Sequence, residues 1–135
     1  MGSQNIVCLD VGEKRIGVAV ADSAVRIAVP FDTVDVDGDE LASLAKIIID
    51  QDAKVIVIGY PRNQSGEPTA QTHYVEDFAK TLQDIAPDIV FQDESLTSVL
   101  AEQRLASHNR PYTKSDIDAQ AAAIILQDYL EASGV

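Results

Sequence analysis

The stretch CLDVGEKRIGVAV, residues 8–20, decides how the chain is read, because an apolar strand in it closes on an acid. Asn5 to Leu9 have the composition of a short buried strand. Arg15 to Ala21 have that of a second, and a turn through Val11 to Lys14 joins them. Asp10 stands at the end of the first strand. An aspartate there is either a turn residue or an acid held at the rim of a buried sheet, and the remaining elements discriminate between the two.

Outward from this hairpin, Ile27 to Val34 is a third strand candidate in which Pro30 predicts an edge or a bend. A helix is predicted from about Glu40 to Gln51, with Leu41, Leu44, Ala45 and Ile48 at helical spacing. The continuous apolar run KVIVI, 54–58, reads as a central strand, and GYPRNQSGEP, 59–68, as a loop. A helix from Thr69 to Ile85, a strand from Ile89 to Gln92, a helix of about ten residues from Leu96 and a last helix from Ser115 to Leu130 follow. Three strands and then helices alternating with strands predict an α/β domain over residues 5–131. Its mixed central sheet carries helices on both faces, and its site lies beyond the strand ends.

Composition narrows the function. Hydrophobic residues make up 46% and charged residues 24% of the 135 residues, an ordinary globular balance. The single cysteine, Cys8, excludes an internal disulfide and reads as a small core residue. No basic leader precedes an apolar stretch and no apolar run nears the length of a membrane span, so a cytoplasmic protein is expected. The net charge of −12 argues against broad adhesion to nucleic acid. A nucleic-acid partner then requires a local basic rim or bound cations. Lys14, Arg15, Arg62, Arg104, Arg110 and Lys114 could form that rim.

In the last helix, Asp118, Ala121, Ala122, Ile125, Leu126 and Tyr129 form one stripe expected to face the sheet. Asp118 heads that stripe, where an unpaired carboxylate is costly. Ser115 with Asp118 fits a capping pattern, but Thr113 with Asp116 fits it equally, which would leave Asp118 without a structural duty. Asp93 and Glu94 follow the strand at 89–92 and point to opposite faces, so only one of them can join a given site. Asp10, one acid of this pair and Asp118 come from three elements and have no sequence-local partners. If they converge, cations must offset their repulsion, and an all-oxygen donor set suits Mg²⁺ or Mn²⁺. Two such ions are a general device for phosphodiester hydrolysis.

LDVGEKRIGVAVAD, VIVIGYPRNQSG, DESLTS and KSDIDAQAAAIILQDYL resemble, in order, four motifs of the YqgF/RuvX family in the ribonuclease H-like superfamily. The resemblance implies a ribonuclease H-like fold and two bound Mg²⁺ or Mn²⁺ ions. It also implies that Asp10, Glu94 and Asp118 are both the catalytic acids and the metal ligands. It sets Arg15, Asn63, Thr97 and Lys114 around them, and with Lys14 and Arg62 these are the expected nucleic-acid contacts. Ser98 departs from the pattern, standing where a second threonine is common. The implied substrate is precursor ribosomal RNA, with the ribosomal particle as a partner, and branched DNA is the alternative. Monomer and homodimer both remain open. The opening hairpin also resembles the phosphate-binding hairpin of actin-like ATPases, but those need a duplicated domain. A binding module that lost its chemistry is the third reading, and the intact acids speak against it. His73 and His108 read as surface residues, and Tyr112 as packing against the helix start.

Overall fold

The computed structural model describes residues 4–61, 67–85, 88–94, 103, 105–107 and 113–133. Five strands, β1 (Asn5–Val11), β2 (Arg15–Asp22), β3 (Val29–Asp35), β4 (Ala53–Pro61) and β5 (Ile89–Glu94), form one sheet in the order β3-β2-β1-β4-β5. The first three pair antiparallel, whereas β4 runs parallel to both β1 and β5. The sheet is therefore mixed, as predicted. Helix α1 (Glu40–Asp50) connects β3 to β4, α2 (Ala70–Leu82) connects β4 to β5, and α3 (Lys114–Ser133) follows the strands. Gln103 and residues 105–107 are helical too, at and just past the end of the helix expected to run about ten residues from Leu96.

Strand alternation divides the sheet into two unlike faces. Val7, Leu9 and Val11 of β1, Ile16 and Val18 of β2, and Ile56 and Ile58 of β4 pack with Leu44 and Ile48 of α1 and Val75, Ala79 and Leu82 of α2. Ile6 and Cys8, Ala19 and Ala21, and Val57 face α3 through Ala122, Ala123, Ile125, Leu126 and Leu130. On β2 the first face is all large and β-branched, while the second reads Gly17, Ala19, Ala21. Small residues on both strand and helix let α3 lie close to the sheet. Cys8 is fully buried, as its apolar setting predicted.

Several boundaries move. β1 continues through Asp10 to Val11, so Asp10 is a strand residue rather than the strand's end. β4 runs on to Pro61 and β5 to Glu94, because parallel pairing from Ile56↔Ile89 to Pro61↔Glu94 holds residues that local composition assigns to loop. The second helix stops at Leu82, and Thr69 is its cap rather than its first turn. Pro30 does lie on an edge strand. A register shift falls beside it, between Val18 and Ala19 of β2, leaving Phe31 as the extra residue of a bulge. The apolar stripe of α3 is wider than expected. Ala121 joins Ile124 and Ile117 in a separate cluster, and residues 119–126 are all buried. Of the apolar residues at helical spacing in α1, Leu41 is exposed while Leu44 and Ile48 are buried.

Two glycines are required by close approach. The Gly12 N–H donates to the Arg15 carbonyl at 3.0 Å in the β1–β2 turn, and a Cβ there would sit 2.8 Å from that oxygen. At Gly17 a Cβ would lie 1.9 Å from the backbone oxygen of Asp118. Backbone, unlike a side chain, has no alternative rotamer, so any larger residue must lift the start of α3. Gly17→Ala is therefore expected to cost about 3 kcal/mol, the upper end of overpacking effects. Urea denaturation should show a lower midpoint at unchanged slope; an unshifted midpoint would mean that α3 does not rest on Gly17.

Candidate metal and nucleic-acid site

Asp10 is half-buried in β1, on the face that α3 covers, with Gly17 as its cross-strand partner. The opening of α3 lies over that glycine, which brings the segment carrying Asp118 beside Asp10. Continuing the parallel register one step past Leu9↔Ile58 sets Gly59 level with Asp10 on the other side. The acid thus has a glycine on each flank within the sheet. Neither Gly17 nor Gly59 stands out in the sequence as a site residue, although the large–small alternation of RIGVAVAD is a readable sign of a helix packed close.

Asp118 is held from two directions. Its backbone rests on Gly17, and its Oδ2 accepts from Arg15 Nε at 2.6 Å, with side-chain exposures of 26% and 31% for the two residues. Capping falls to the other pair. The Thr113 N–H donates to Asp116 Oδ2 at 2.9 Å, and the Asp116 N–H to Thr113 Oγ1 at 3.3 Å. Asp118 is released from that duty. The first turn of α3 is further fixed by the Thr33 hydroxyl, which donates to the Ser115 carbonyl at 2.7 Å.

The pairing of β4 with β5 separates the two adjacent acids. Asp93 is opposite Tyr60, on the α2 side, where it lines a groove with Tyr60, Glu76 and Phe91. There the Tyr60 hydroxyl donates to Glu76 at 3.0 Å and the ring meets Phe91 edge-on at 5.1 Å. Position 94 is opposite Pro61 and belongs to the α3 face, with Asp10 and Asp118. β1, β4 and β5 are parallel, so Asp10 and position 94 both lie toward the C-terminal ends of their strands. Two strand spacings sideways and two residues along give roughly 12 Å between their Cα atoms.

Among the described residues no group of three or more His, Cys, Asp and Glu side chains comes together as a metal site; Asp10 and Asp118 share this face with Asp35, the cross-strand partner of Arg15 on the edge strand β3. A hard divalent cation fits this all-carboxylate donor set better than a thiolate- or imidazole-seeking one. Lys14, exposed in the β1–β2 turn, and Lys114, exposed at the first residue of α3, lie on the segments that carry Arg15 and Asp118. Arg62, Asn63 and Thr97 lie outside the described residues, as do Ser98, Arg104, His108, Arg110 and Tyr112. His73 is exposed 3.3 Å from Glu76, remote in topology from Asp10, as its surface reading predicted. The end of α2 nearest the site is anchored to the sheet, with Gln71 donating to the Val11 carbonyl at 3.0 Å and the Thr72 hydroxyl to the Pro61 carbonyl.

The two capping patterns make distinct demands on stability. Thr113→Ala should lower the unfolding free energy by about 1 kcal/mol. Ser115→Ala should change it by less than about 0.5 kcal/mol. The reverse order in chemical denaturation would return the cap to Ser115 and Asp118.

Residues 4–132 match a family model described as RuvX, Holliday junction resolvase. A protein of Chloroflexus aurantiacus named "Putative pre-16S rRNA nuclease" is 41% identical over 98% of this chain and 90% of its own length. One of Staphylococcus carnosus with the same name is 37% identical over 98% and 99%. Among solved structures, Thermus thermophilus RuvC in complex with a Holliday junction substrate superposes with a TM-score of 0.59 at 12% identity, covering 97% of this chain and 96% of that one. The fowlpox virus resolvase in complex with Holliday junction DNA reaches 0.60 at 13% identity, covering 96% and 99%. At such identities the likeness is one of fold, the ribonuclease H-like resolvase fold.

Proposed function

The chain belongs to the RuvX family, and we propose that it is a cation-dependent endonuclease that processes the 5′ end of precursor 16S ribosomal RNA. The observation that carries this reading is the seating of Asp118 beside Asp10, on the sheet face to which position 94 also belongs. The name carried by relatives at 36–41% identity supports the substrate.

In this proposal Asp10, Glu94 and Asp118 are the catalytic acids and would hold two Mg²⁺ or Mn²⁺ ions. Bound there, such ions would supply Lewis acidity and a water acidified enough to attack phosphorus at neutral pH. The protein's part is placement. The glycines beside Asp10 leave room at the sheet, and the cap at Thr113 and Asp116 fixes where α3 begins. Lys14, Lys114 and Arg62 would bind backbone phosphates on either side of the scissile bond, with Asn63 and Thr97 as neutral hydrogen-bonding contacts. Such a rim is small against a net charge of −12. Affinity for nucleic acid should therefore be low, with a salt dependence corresponding to well under about ten phosphates. A flexible single strand suits this better than a long duplex, which would meet mostly acidic surface. The ribosomal particle would supply part of the affinity.

A second reading, resolution of branched DNA, is favoured by the family's description and by the junction-bound proteins that share the fold. Symmetric cleavage of a junction needs two active sites and hence a dimer. Side-by-side cleavage of single-stranded precursor RNA and four-way junctions, with solution mass measured on the same sample, separates the readings. The RNA reading fails if a stable dimer cuts junctions symmetrically and ignores the RNA.

Asp10→Asn, Glu94→Gln and Asp118→Asn should each abolish cleavage in folded protein, while Asp93→Asn, on the other face, keeps most of it. Loss of activity in Asp93→Asn with Glu94→Gln active would reverse the assignment of the two acids. Activity should require Mg²⁺ or Mn²⁺, and Ca²⁺ should bind with little turnover because its looser coordination misplaces the attacking water. Full activity after exhaustive chelation would remove the metal mechanism.

A further inference from the structure

The family resemblance makes Arg15 a contact to nucleic acid, yet its guanidinium is turned inward. Arg15 Nε donates to Asp118 Oδ2 at 2.6 Å, and among the described residues this is the one ion pair that either side chain makes. Both are about 70% buried or more, so water screens the pair less than it would a surface bridge. The placement follows from β2. Arg15 and Gly17 alternate onto the same face, and Gly17 is both the partner of Asp10 and the seat of Asp118. Arg15 is therefore also diagonal to Asp10, within reach of a long side chain's charge. One fixed cation of the protein stands where the proposed function requires a divalent ion.

We propose that Arg15 is the built-in counter-ion of Asp118: a positioning residue that holds the carboxylate in the cation-free protein and gives it up when a divalent cation binds. The first half rests on the ion pair alone; the exchange rests on the metal site of the proposed function. A cation on Asp118 sits about 2.1 Å from its oxygen, which leaves it on the order of 4 Å from a guanidinium bonded to the same carboxylate. Like charges that close in a partly shielded site repel strongly. Cation and arginine thus compete for Asp118, and the arginine moves toward the rim as the ion enters.

The test uses wild type, Arg15→Gln, Arg15→Lys, Asp118→Asn and the Arg15→Gln/Asp118→Asn double variant. Their urea stabilities are measured without cation and with saturating Mn²⁺, Mn²⁺ affinity by calorimetry, and binding of a single-stranded RNA oligomer across a salt series. In cation-free protein the double-mutant cycle should give a coupling of about fivefold in the unfolding constant, and saturating Mn²⁺ should abolish it. Arg15→Gln should bind Mn²⁺ about fivefold more tightly than wild type, with Arg15→Lys in between, and the slope of log affinity on log salt for RNA should not change. A cycle without coupling overturns the counter-ion. Unchanged or weaker Mn²⁺ binding by both Arg15 variants overturns the exchange. A salt slope shallower by about one in either variant restores Arg15 to the phosphate contacts and overturns the proposal. Wild type that neither binds Mn²⁺ nor cleaves overturns the proposed function and the exchange with it, while the cation-free cycle still reads the counter-ion on its own.

Discussion

The close seating of α3 on the small-residue face of β2 is the contact on which the rest of this molecule depends. Gly17, Ala19 and Ala21 offer the helix almost no side-chain height, and Ala122 and Ala123 answer with the same economy of volume. Backbone of the helix meets backbone of the sheet at Gly17, so the position of Asp118 is set by main-chain contact and not by the reach of a flexible side chain. The metal site of the proposed function would benefit from that rigidity, since errors of an ångström cost orders of magnitude in rate. The opposite face of the sheet, filled mostly by β-branched residues, packs against α1 and α2 in the ordinary way and carries the groove beside Tyr60.

Electrostatics sets the second constraint. Acids gathered on one face of an already acidic protein are a liability until something positive lies among them. One answer is internal, the Arg15 guanidinium on Asp118; under the proposed function the other would be a divalent cation. The exposed lysines at positions 14 and 114 stand on the same segments as these residues, so the positive charge of the region is layered, with arginine within and lysines outside.

Much of this was legible in the residues. The mixed sheet with helices on both faces followed from three strands preceding the alternation of helix and strand, and the edge position of β3 followed from Pro30. The choice between the caps of α3 required coordinates, because Thr113/Asp116 and Ser115/Asp118 obey the same pattern. The faces of Asp93 and position 94 depended on the pairing of β5 with β4, a long-range register that local composition does not encode. Strand ends were too short for the same reason: Tyr60, Pro61, Asp93 and Glu94 read as loop until their parallel neighbours are known. Arg15 was legible as a residue near the acids but not as the partner of one of them. The stretch around Arg62, Asn63 and Thr97 was legible only through the motifs that include them.

The separation of Arg15 and Asp118 along the chain, 103 residues, has a consequence for biosynthesis. A chain emerging from the ribosome can form the β1–β2–β3 meander early, from local pairings with small loop-closure cost. The α3 face of that sheet stays uncovered until residue 130 is out, because Leu126 and Leu130 are what bury it. Asp10 therefore waits beside an empty seat until α3 has emerged, and the two acids meet only when that helix docks.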